Sequence, residues 1–455
     1  MKAIALYTLL VATVLSASVL RAQTTTLTLD NAIEIGVKNN RDVQINKLNI
    51  EKAHAAVKEA IGTALPSVSL DATYSRFFKQ AVFFLPEVFF NPQGDPNKLV
   101  PMKMGGANSY EAKASASQIL FNSAVFTGIG ASKIYLDVSK EQTKASVAKT
   151  ISDIKKAFYG AVLAKEIILV LQQSLKTGES NLEVVRALNQ EGMIAEFDVM
   201  QAEVQVGNLR PQIVQAEIGY KNAKEALKLL MNIDKSKDIE VEGSLPTSEP
   251  GLDSDAVYIA EAEKNNFDLR TLALKKEVDR AMINIERSNY YPTVAAFSQY
   301  SFQGQSNTFS NFANAQIGVV GVNFSINLFN GMQTSRRVEQ ATVTQLQTEE
   351  QYGQLRDYTA MQIRGRLFEI DRIRTELESH DRNIALASRS LEIANVRYTE
   401  GVGSQLEIIN SDNALRVARM NRLQTVYQYV TAQTELEQLI GRVEPRYFRL
   451  AGINE

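Results

Sequence analysis

Hydrophobic residues change their spacing early in the chain. From Leu27 to Gly62 they recur at roughly helical spacing, which predicts a helix with Asp30 as its N-cap. Pro66 ends this pattern, because proline cannot continue a helix. From Ser67 to Ser75 polar and apolar residues alternate strictly, which predicts a strand with one polar and one apolar face.

The next segment, residues 77–104, has no regular pattern and is rich in proline, so we expect a loop. It contains aromatic residues that are unusual in a loop exposed to water, namely Phe83, Phe84, Phe89 and Phe90. They could pack on one another or on a neighbouring chain, or they could contact lipid or an external ligand. Alternation resumes at Tyr110, which predicts a second strand.

Two long segments, 122–191 and 330–400, contain no proline and have a helix-forming composition. Each follows a Leu-Phe-Asn tripeptide, and each ends in Glu-Gly. A continuous helix of about 70 residues would be roughly 105 Å long. A helix of that length must lie in a coiled coil or form the wall of a long structure. A second helix follows each turn, from Phe197 to about Met231 and, in the later part of the chain, to Ile440.

The whole pattern occurs twice, because residues 254–301 repeat residues 28–75. Asn39-Asn40, for example, matches Asn265-Asn266. Each copy predicts a helix, two strands, a long helix, a turn and a helix, and residues 232–253 form a linker. We therefore divide the chain into a signal peptide (1–22), a first repeat (23–253, strands at about 67–120), a second repeat (254–441, strands at about 293–329) and a C-terminal tail (442–455).

Composition narrows the classes of function. The net charge is −2 and no basic block occurs, so we expect no nucleic acid partner. Cysteine is absent, which excludes disulfides and thiolate metal sites. Lys2, an apolar run to Leu20 and a cleavage point after Ala22 predict export, with an N-terminal membrane anchor as the alternative. No later apolar run reaches the roughly 20 residues of a membrane helix.

The four predicted strands have a length that suits a tilted transmembrane β-strand. Four strands cannot close a barrel, and an open sheet edge is not tolerated in lipid. The chain must therefore oligomerise if its strands span a membrane. Two chains would supply eight strands with a filled interior, whereas three chains would supply twelve strands and leave room for a pore.

The ordered set of motifs resembles the TolC family of outer-membrane efflux proteins across essentially the whole mature chain. The duplication carries the resemblance, together with the motif Leu328-Phe329-Asn330-Gly331. A further motif begins five residues after each turn glycine: Phe197-Asp198-Val199 follows Gly192, and Leu406-Glu407-Ile408 follows Gly401. The resemblance implies a mixed α and β fold. A homotrimer would form a 12-stranded β-barrel in the outer membrane of a Gram-negative bacterium, continued by a long α-helical coiled-coil barrel in the periplasm.

The resemblance also implies roles for residues near the helix turns. The position matching the first acid of the family's pore constriction is Glu407, and the position matching the second is the uncharged Asn410. Asp412 is expected to face elsewhere, because its spacing from Glu407 does not keep it on the same helix face. The closed-state latch of the family corresponds to Asp198 and Tyr398, with Gly403 in place of the family's arginine.

The helix turns themselves are expected to face a periplasmic adaptor protein. The residues concerned are Gly192, Met193, Gly401 and Val402, the two glycines matching left-handed positions at helix ends.

The function expected from these features is the outer-membrane channel component of a tripartite efflux or type I secretion system. Its partners would be an inner-membrane transporter, a periplasmic adaptor and outer-membrane lipid. The alternative is a soluble periplasmic coiled-coil adaptor or scaffold. An enzyme is disfavoured, since the sequence contains no Gly-rich phosphate loop, no metal-spaced His/Asp/Glu set and no nucleophile–histidine pairing, and no cofactor is expected.

Overall fold

The computed structural model describes residues 25–246 and 251–453. The predicted signal peptide at 1–22 therefore lies outside the described residues. The described chain forms two compact units, one made of residues up to 50, 139–273 and 351 onward, the other of residues 51–138 and 274–350. The sequence repeats do not coincide with these units, because each repeat contributes to both, and the division at residue 253 stays a prediction.

The helices of the chain follow the duplicated order that the sequence predicts. In chain order they are α1 (Leu29–Asn39), α2 (Arg41–Gly62), α3 (Ser123–Gln190), α4 (Glu196–Met231), α5 (Asp255–Asn265), α6 (Phe267–Arg287), α7 (Gln333–Thr399), α8 (Gln405–Leu439) and α9 (Pro445–Leu450). The long helices α3 and α7 begin and end within a few residues of the predicted bounds. Pro211 lies inside α4, which continues through it.

Buried apolar side chains form two clusters within the first unit. The larger one surrounds Phe158, which is 2% exposed, and includes Ile33, Met231 and Ile370. The smaller one lies next to the helix turns, where Val185 and Ile408 are buried. The hydrophobic effect at these clusters holds the helices side by side.

The second unit contains the main sheet. Its strands are β2 (Ser67–Arg76), β5 (Asn108–Phe121), β7 (Thr293–Ser306) and β8 (Ala313–Ser325). They are hydrogen-bonded in the order β2-β5-β7-β8, and every pair is antiparallel. The two predicted hairpins therefore meet through β5 and β7 in one sheet.

The first predicted helix is interrupted, which corrects the single helix expected from Leu27 to Gly62. Helix α1 begins after Thr28, whose side chain accepts a hydrogen bond from the Asn31 N–H, so Thr28 is the N-cap instead of Asp30. The chain then leaves the helical conformation at Asn40, and α2 begins at Arg41. Helical spacing of apolar residues continues across this break, which is why periodicity did not reveal it.

Asn40 holds the interruption in place. Its side-chain oxygen accepts hydrogen bonds from the N–H groups of Asp42 and Val43, and its amide donates to the Leu230 carbonyl at 2.9 Å. Asn266 makes the corresponding bonds in the second repeat, to the Leu269 N–H and to the Leu439 carbonyl. Each asparagine thus caps one helix and ties it to another helix of its repeat.

Three segments predicted as irregular contain regular structure. Residues 77–104, predicted as a loop, form an antiparallel hairpin of β3 (Ala81–Pro86) and β4 (Leu99–Met104). The predicted linker contains β6 (Ile239–Val241), which pairs in parallel with β1 (Thr25–Leu27). The predicted tail contains α9. The strands have only three or six residues, and β3 and β4 each contain a proline, so local pattern alone gives little signal.

We expect Asn40→Ala to lower the free energy of unfolding by about 2 kcal/mol, because a buried helix cap and a tie between helices are lost together. Asn39→Ala is the matched control, since the Asn39 side chain is exposed and only its carbonyl takes part in the join. Denaturant titrations of both variants, followed by circular dichroism, measure the difference. Equal unfolding midpoints for the two variants would contradict the role given to Asn40.

Candidate functional site

The register of the four-stranded sheet sorts its side chains onto two faces. Paired residues on adjacent strands share a face, so that Leu70, Ala114 and Tyr300 lie on the same side. The apolar residues of this face are Val68, Leu70, Ala72, Tyr74, Tyr110, Ala112, Ala114, Ala116, Val294, Ala296, Tyr300, Phe302, Val320, Val322 and Phe324. Polar residues interrupt this face, and two of them, Asn314 and Gln316, accept hydrogen bonds from tyrosine hydroxyls. The others are Arg76, Asn108, Gln118, Ser298 and Ser306.

The opposite face is polar on β2 and β5 and mixed on β7 and β8. Asp71 and Lys113 are cross-strand partners on this side, and Glu111 is paired with Gln303. The large side chains of the apolar face are exposed in the single chain: Val68 is 78% exposed and Val320 is 85% exposed. A sheet with one apolar and one polar face can separate lipid from water.

The outer strands of this sheet each have a single partner. Within the described part of the chain, β2 pairs only with β5, and β8 pairs only with β7. The second edge of each of these strands therefore presents unpaired backbone N–H and C=O groups, which must find partners if the sheet is placed in lipid.

The turn between α3 and α4 and the turn between α7 and α8 close with the same backbone bonds. The Met193 N–H donates to the Leu188 carbonyl at 2.9 Å, and the Val402 N–H donates to the Arg397 carbonyl at 2.9 Å. The glycine before each donor is left-handed, with φ of +73° at Gly192 and +71° at Gly401. This arrangement ends a helix where a side chain at the glycine would be strained.

The predicted adaptor-facing residues are accessible in these turns. Met193 is 67% exposed and Val402 is 66% exposed. An added Cβ at Gly192 or Gly401 would meet no atom within 4 Å, so the left-handed backbone alone accounts for the glycines.

The helices that leave the two turns begin differently. The Ser404 hydroxyl accepts a hydrogen bond from the Glu407 N–H and caps α8. Ala195 occupies the equivalent position before α4 and provides no side-chain cap. Helix α8 therefore has a side-chain cap that α4 lacks, while the first turn is held by the Asn189 amide, which donates to the Ile194 carbonyl at 3.0 Å.

Glu407 lies in the first turn of α8 and is exposed. Its carboxylate forms an ion pair with Arg397, whose Nε lies 3.3 Å from Glu407 Oε2. Arg397 also donates to the Val402 carbonyl at 3.0 Å and so joins the end of α7 to the turn. Arg397 was not among the predicted site residues. The only signal for it in the sequence was its position in the last turn of α7, four residues before Gly401.

Asn410 is exposed, whereas Asp412 is buried and so does not share the exposed face of Glu407. Burial raises the pKa of Asp412, while Arg416 and Arg419 lower it. Gln405 is buried on the same helix, and neither its side-chain oxygen nor its nitrogen has a hydrogen-bond partner among the described residues. Gln405 was not predicted, because nothing in the sequence separates it from an exposed glutamine.

Asp198 and Tyr398, the predicted latch, are near each other but not hydrogen-bonded. Burial raises the pKa of Tyr398, and the negative charge of Asp198 raises it further. The Tyr398 hydroxyl is buried and has no hydrogen-bond partner within the described residues. A Cβ at Gly403 would lie 2.9 Å from the Tyr398 backbone nitrogen, so a larger residue there would displace the end of α7.

None of the helices described in 25–246 and 251–453 is long and apolar enough to cross a membrane. Over the same residues, no group of three or more His, Cys, Asp or Glu could hold a metal ion.

Comparison with known proteins identifies the family. A family profile described as outer membrane efflux protein matches residues 33–232 and 258–442. The outer membrane protein TolC of Salmonella enteritidis is 19% identical over 414 residues, which cover 89% of this chain and 79% of that protein. The alkaline protease secretion protein AprF of Pseudomonas aeruginosa is 19% identical over 355 residues, covering 76% and 73% respectively.

Solved structures show the same fold. The Campylobacter jejuni CmeC outer membrane channel superposes with a TM-score of 0.73 at 18% identity, over 91% of this chain and 85% of that one. The mixed α and β fold class predicted from the sequence is thereby confirmed. Since the profile spans most of both repeats, the chain belongs to the outer membrane efflux protein family and is an outer-membrane channel of the TolC-like type.

Proposed function

We propose that three copies of this chain form a duct through the outer membrane and periplasm, which receives cargo from an inner-membrane transporter through a periplasmic adaptor protein. The observation that carries this proposal is the four-stranded sheet with two unpaired edges and one exposed apolar face. A soluble scaffold would leave that face in water, where exposure of large apolar side chains is unfavourable.

The sheet order supports closure by identical copies. Strands β2 and β8 run in opposite directions, because three antiparallel pairings separate them. The free edge of β8 can therefore pair in an antiparallel manner with the free edge of β2 in the next copy. Three copies supply twelve strands, an even number that can enclose a pore, whereas two copies supply eight and leave little interior space.

We expect the full mature chain, extracted in detergent, to be a trimer that conducts ions in a planar bilayer. Mass photometry of the detergent complex gives the copy number, and single-channel recording gives the conductance. A monodisperse monomer that stays in solution without detergent would contradict the proposal. A dimer without conductance would contradict the twelve-stranded arrangement.

We place adaptor docking at the two helix turns, where Met193 and Val402 offer exposed apolar side chains next to the glycines that close the turns. Exposed apolar side chains are common contact points for protein partners. The similarity of the two turns means that each chain presents two comparable contact points.

Met193→Trp and Val402→Trp should each reduce adaptor recovery at least tenfold, because a bulky ring at the contact obstructs close packing. Chemical cross-linking in native membranes, followed by purification of the trimer, measures the recovered adaptor. Leu229→Trp is the control, since Leu229 is 74% exposed but lies at the other end of α4. Normal recovery with both turn variants would remove the turns from the docking surface.

We also propose that Glu407 lines the pore constriction and that Asn410 contributes a second, uncharged ring. The ion pair with Arg397 alters the expected electrostatics, because each chain then brings one negative and one positive charge to this level of the pore. Selectivity should depend on the balance between these two side chains and not on the carboxylate alone.

Glu407→Gln should shift selectivity toward anions, since it leaves Arg397 without its counter-charge. Arg397→Gln should shift selectivity toward cations by removing the opposite charge. Reversal potentials in a salt gradient across a planar bilayer measure both shifts. If the two variants keep the wild-type reversal potential, the pair does not face the permeation path.

For the latch, we propose that Asp198 accepts a hydrogen bond from the Tyr398 hydroxyl when the duct is closed. The buried, unpartnered hydroxyl and the nearby carboxylate support this pairing. Tyr398→Phe should raise the fraction of time that the duct is open in the same recordings, because the closed state loses a bond of about 1 kcal/mol per chain. An open fraction equal to that of the wild type would argue against the latch.

The family is one of channels, and we propose no catalytic activity for this member. The names of related members point to two kinds of cargo, metal ions in a cobalt-zinc-cadmium resistance protein and a secreted protein in AprF.

A further inference from the structure

A cavity of about 590 Å³ lies where the helix break of the second repeat meets the C-terminal segment. It belongs to the first compact unit and is separate from the helix turns and from the sheet. The side chains that line it include Lys144, Phe267, Arg270, Phe448, Arg449 and Ile453.

The lining of this cavity carries an excess of positive charge. Lys144 and Arg270 both donate to the same oxygen of Glu141, at 2.9 Å each, so that two cations share one carboxylate. Arg449 is exposed, and its guanidinium has no hydrogen bond or ion pair to any residue in 25–246 or 251–453. None of the described lining residues is acidic. An anion would therefore be attracted to the cavity.

One wall of the cavity is apolar and aromatic. The rings of Phe267 and Phe448 meet edge to face, with centroids 5.5 Å apart. The Arg270 guanidinium lies 6.0 Å from the Phe267 centroid, and Ile453 is buried at the same wall. A cation beside an aromatic wall suits a ligand that joins a negative group to an apolar body.

The first repeat closes its helix break with polar side chains in place of the aromatic wall. Arg41 occupies the position equivalent to Phe267, and its Nε donates to Asn232 Oδ1 at 3.3 Å. Asn232 in turn donates to the Asn39 carbonyl at 3.1 Å, so polar bonds close the join. In the second repeat Gly441 replaces Asn232, and a Cβ there would lie 2.2 Å from the Asn265 carbonyl oxygen.

We propose that this cavity binds a terminal carboxylate that carries an apolar side chain, as found at the C-terminus of a peptide. Arg449 holds the carboxylate, since a guanidinium pairs with its two oxygens in a planar fork. Phe267 and Phe448 contact the apolar side chain. Lys144 and Arg270 supply the positive field and stay bound to Glu141.

The test uses the detergent-solubilised full chain and the probe N-acetyl-Ala-Ala-Phe, compared with the same peptide ending in an amide. Isothermal titration calorimetry should show at least tenfold tighter binding of the acid than of the amide. Arg449→Gln should abolish this preference. Arg382→Gln, which removes an exposed arginine that does not line the cavity, should leave it unchanged.

The apolar half of the site is tested with N-acetyl-Ala-Ala-Gly, which keeps the carboxylate and lacks the ring. Weaker binding of this peptide by the wild type, and equal binding of both acids by Phe448→Ala, is the expected result. Equal affinity of the wild type for the acid and the amide, or wild-type affinity in Arg449→Gln, would overturn the proposal. Sodium acetate that competes as well as the peptide would also overturn it. Conductance in a bilayer does not enter these measurements, so the outcome is independent of the export function.

Discussion

Backbone hydrogen bonding at the edges of the sheet is the constraint on which the rest of the structure depends. Hydrocarbon offers no partner for an unpaired N–H or C=O, and each such group left bare costs several kcal/mol. A chain that contributes only β2, β5, β7 and β8 cannot satisfy its own edges. The edges of the sheet can therefore be paired only by other copies of the chain, whereas the helical part contains buried clusters of its own.

Duplication suits this constraint, because each copy adds one antiparallel hairpin and keeps the strand count even. The residues that make the duplication visible in the sequence are also those with special backbone roles. Asn40 and Asn266 end one helix and begin the next, and Gly192 and Gly401 adopt the left-handed conformation that closes a turn. These positions require one particular side chain or, at the glycines, no side chain. They are therefore easier to recognise in the sequence than apolar positions, which several residue types can fill.

The sequence predicted the long helices, the strand pairs and the turns, because periodicity and punctuation are local signals. It missed the break at Asn40, since the apolar spacing continues across it and the decisive bond is made to the distant Leu230 carbonyl. It missed the parallel pairing of β1 with β6 for the same reason, and it missed the hairpin at residues 81–104 because each of its short strands contains a proline. A partner far away in the chain leaves no mark on a short window of sequence.

The site residues divide in a similar way. Gly192 and Gly401 could be predicted from position, and the exposure of Met193 and Val402 followed from the turn. Arg397 could not be singled out, because its importance comes from Glu407 and the Val402 carbonyl being within reach at once. Burial of Gln405 and Asp412 was equally hidden, since charged and amide side chains on a helix are usually solvated.

Only one of the two helix turns is followed by a helix with a side-chain cap, so the first turns of α4 and α8 differ in how easily they unfold locally. A serine cap is worth about 1 kcal/mol, which corresponds to a roughly fivefold difference in how often the first turn of a helix frays. Helix α8 begins with Ser404 and has such a cap, whereas α4 begins after Ala195 and has none. In a ring of three chains, uncapped and capped helix ends would alternate, so the six ends would not fray together. Amide exchange would then be faster around Glu196 than around Gln405, and movement at the tip would start from the first repeat.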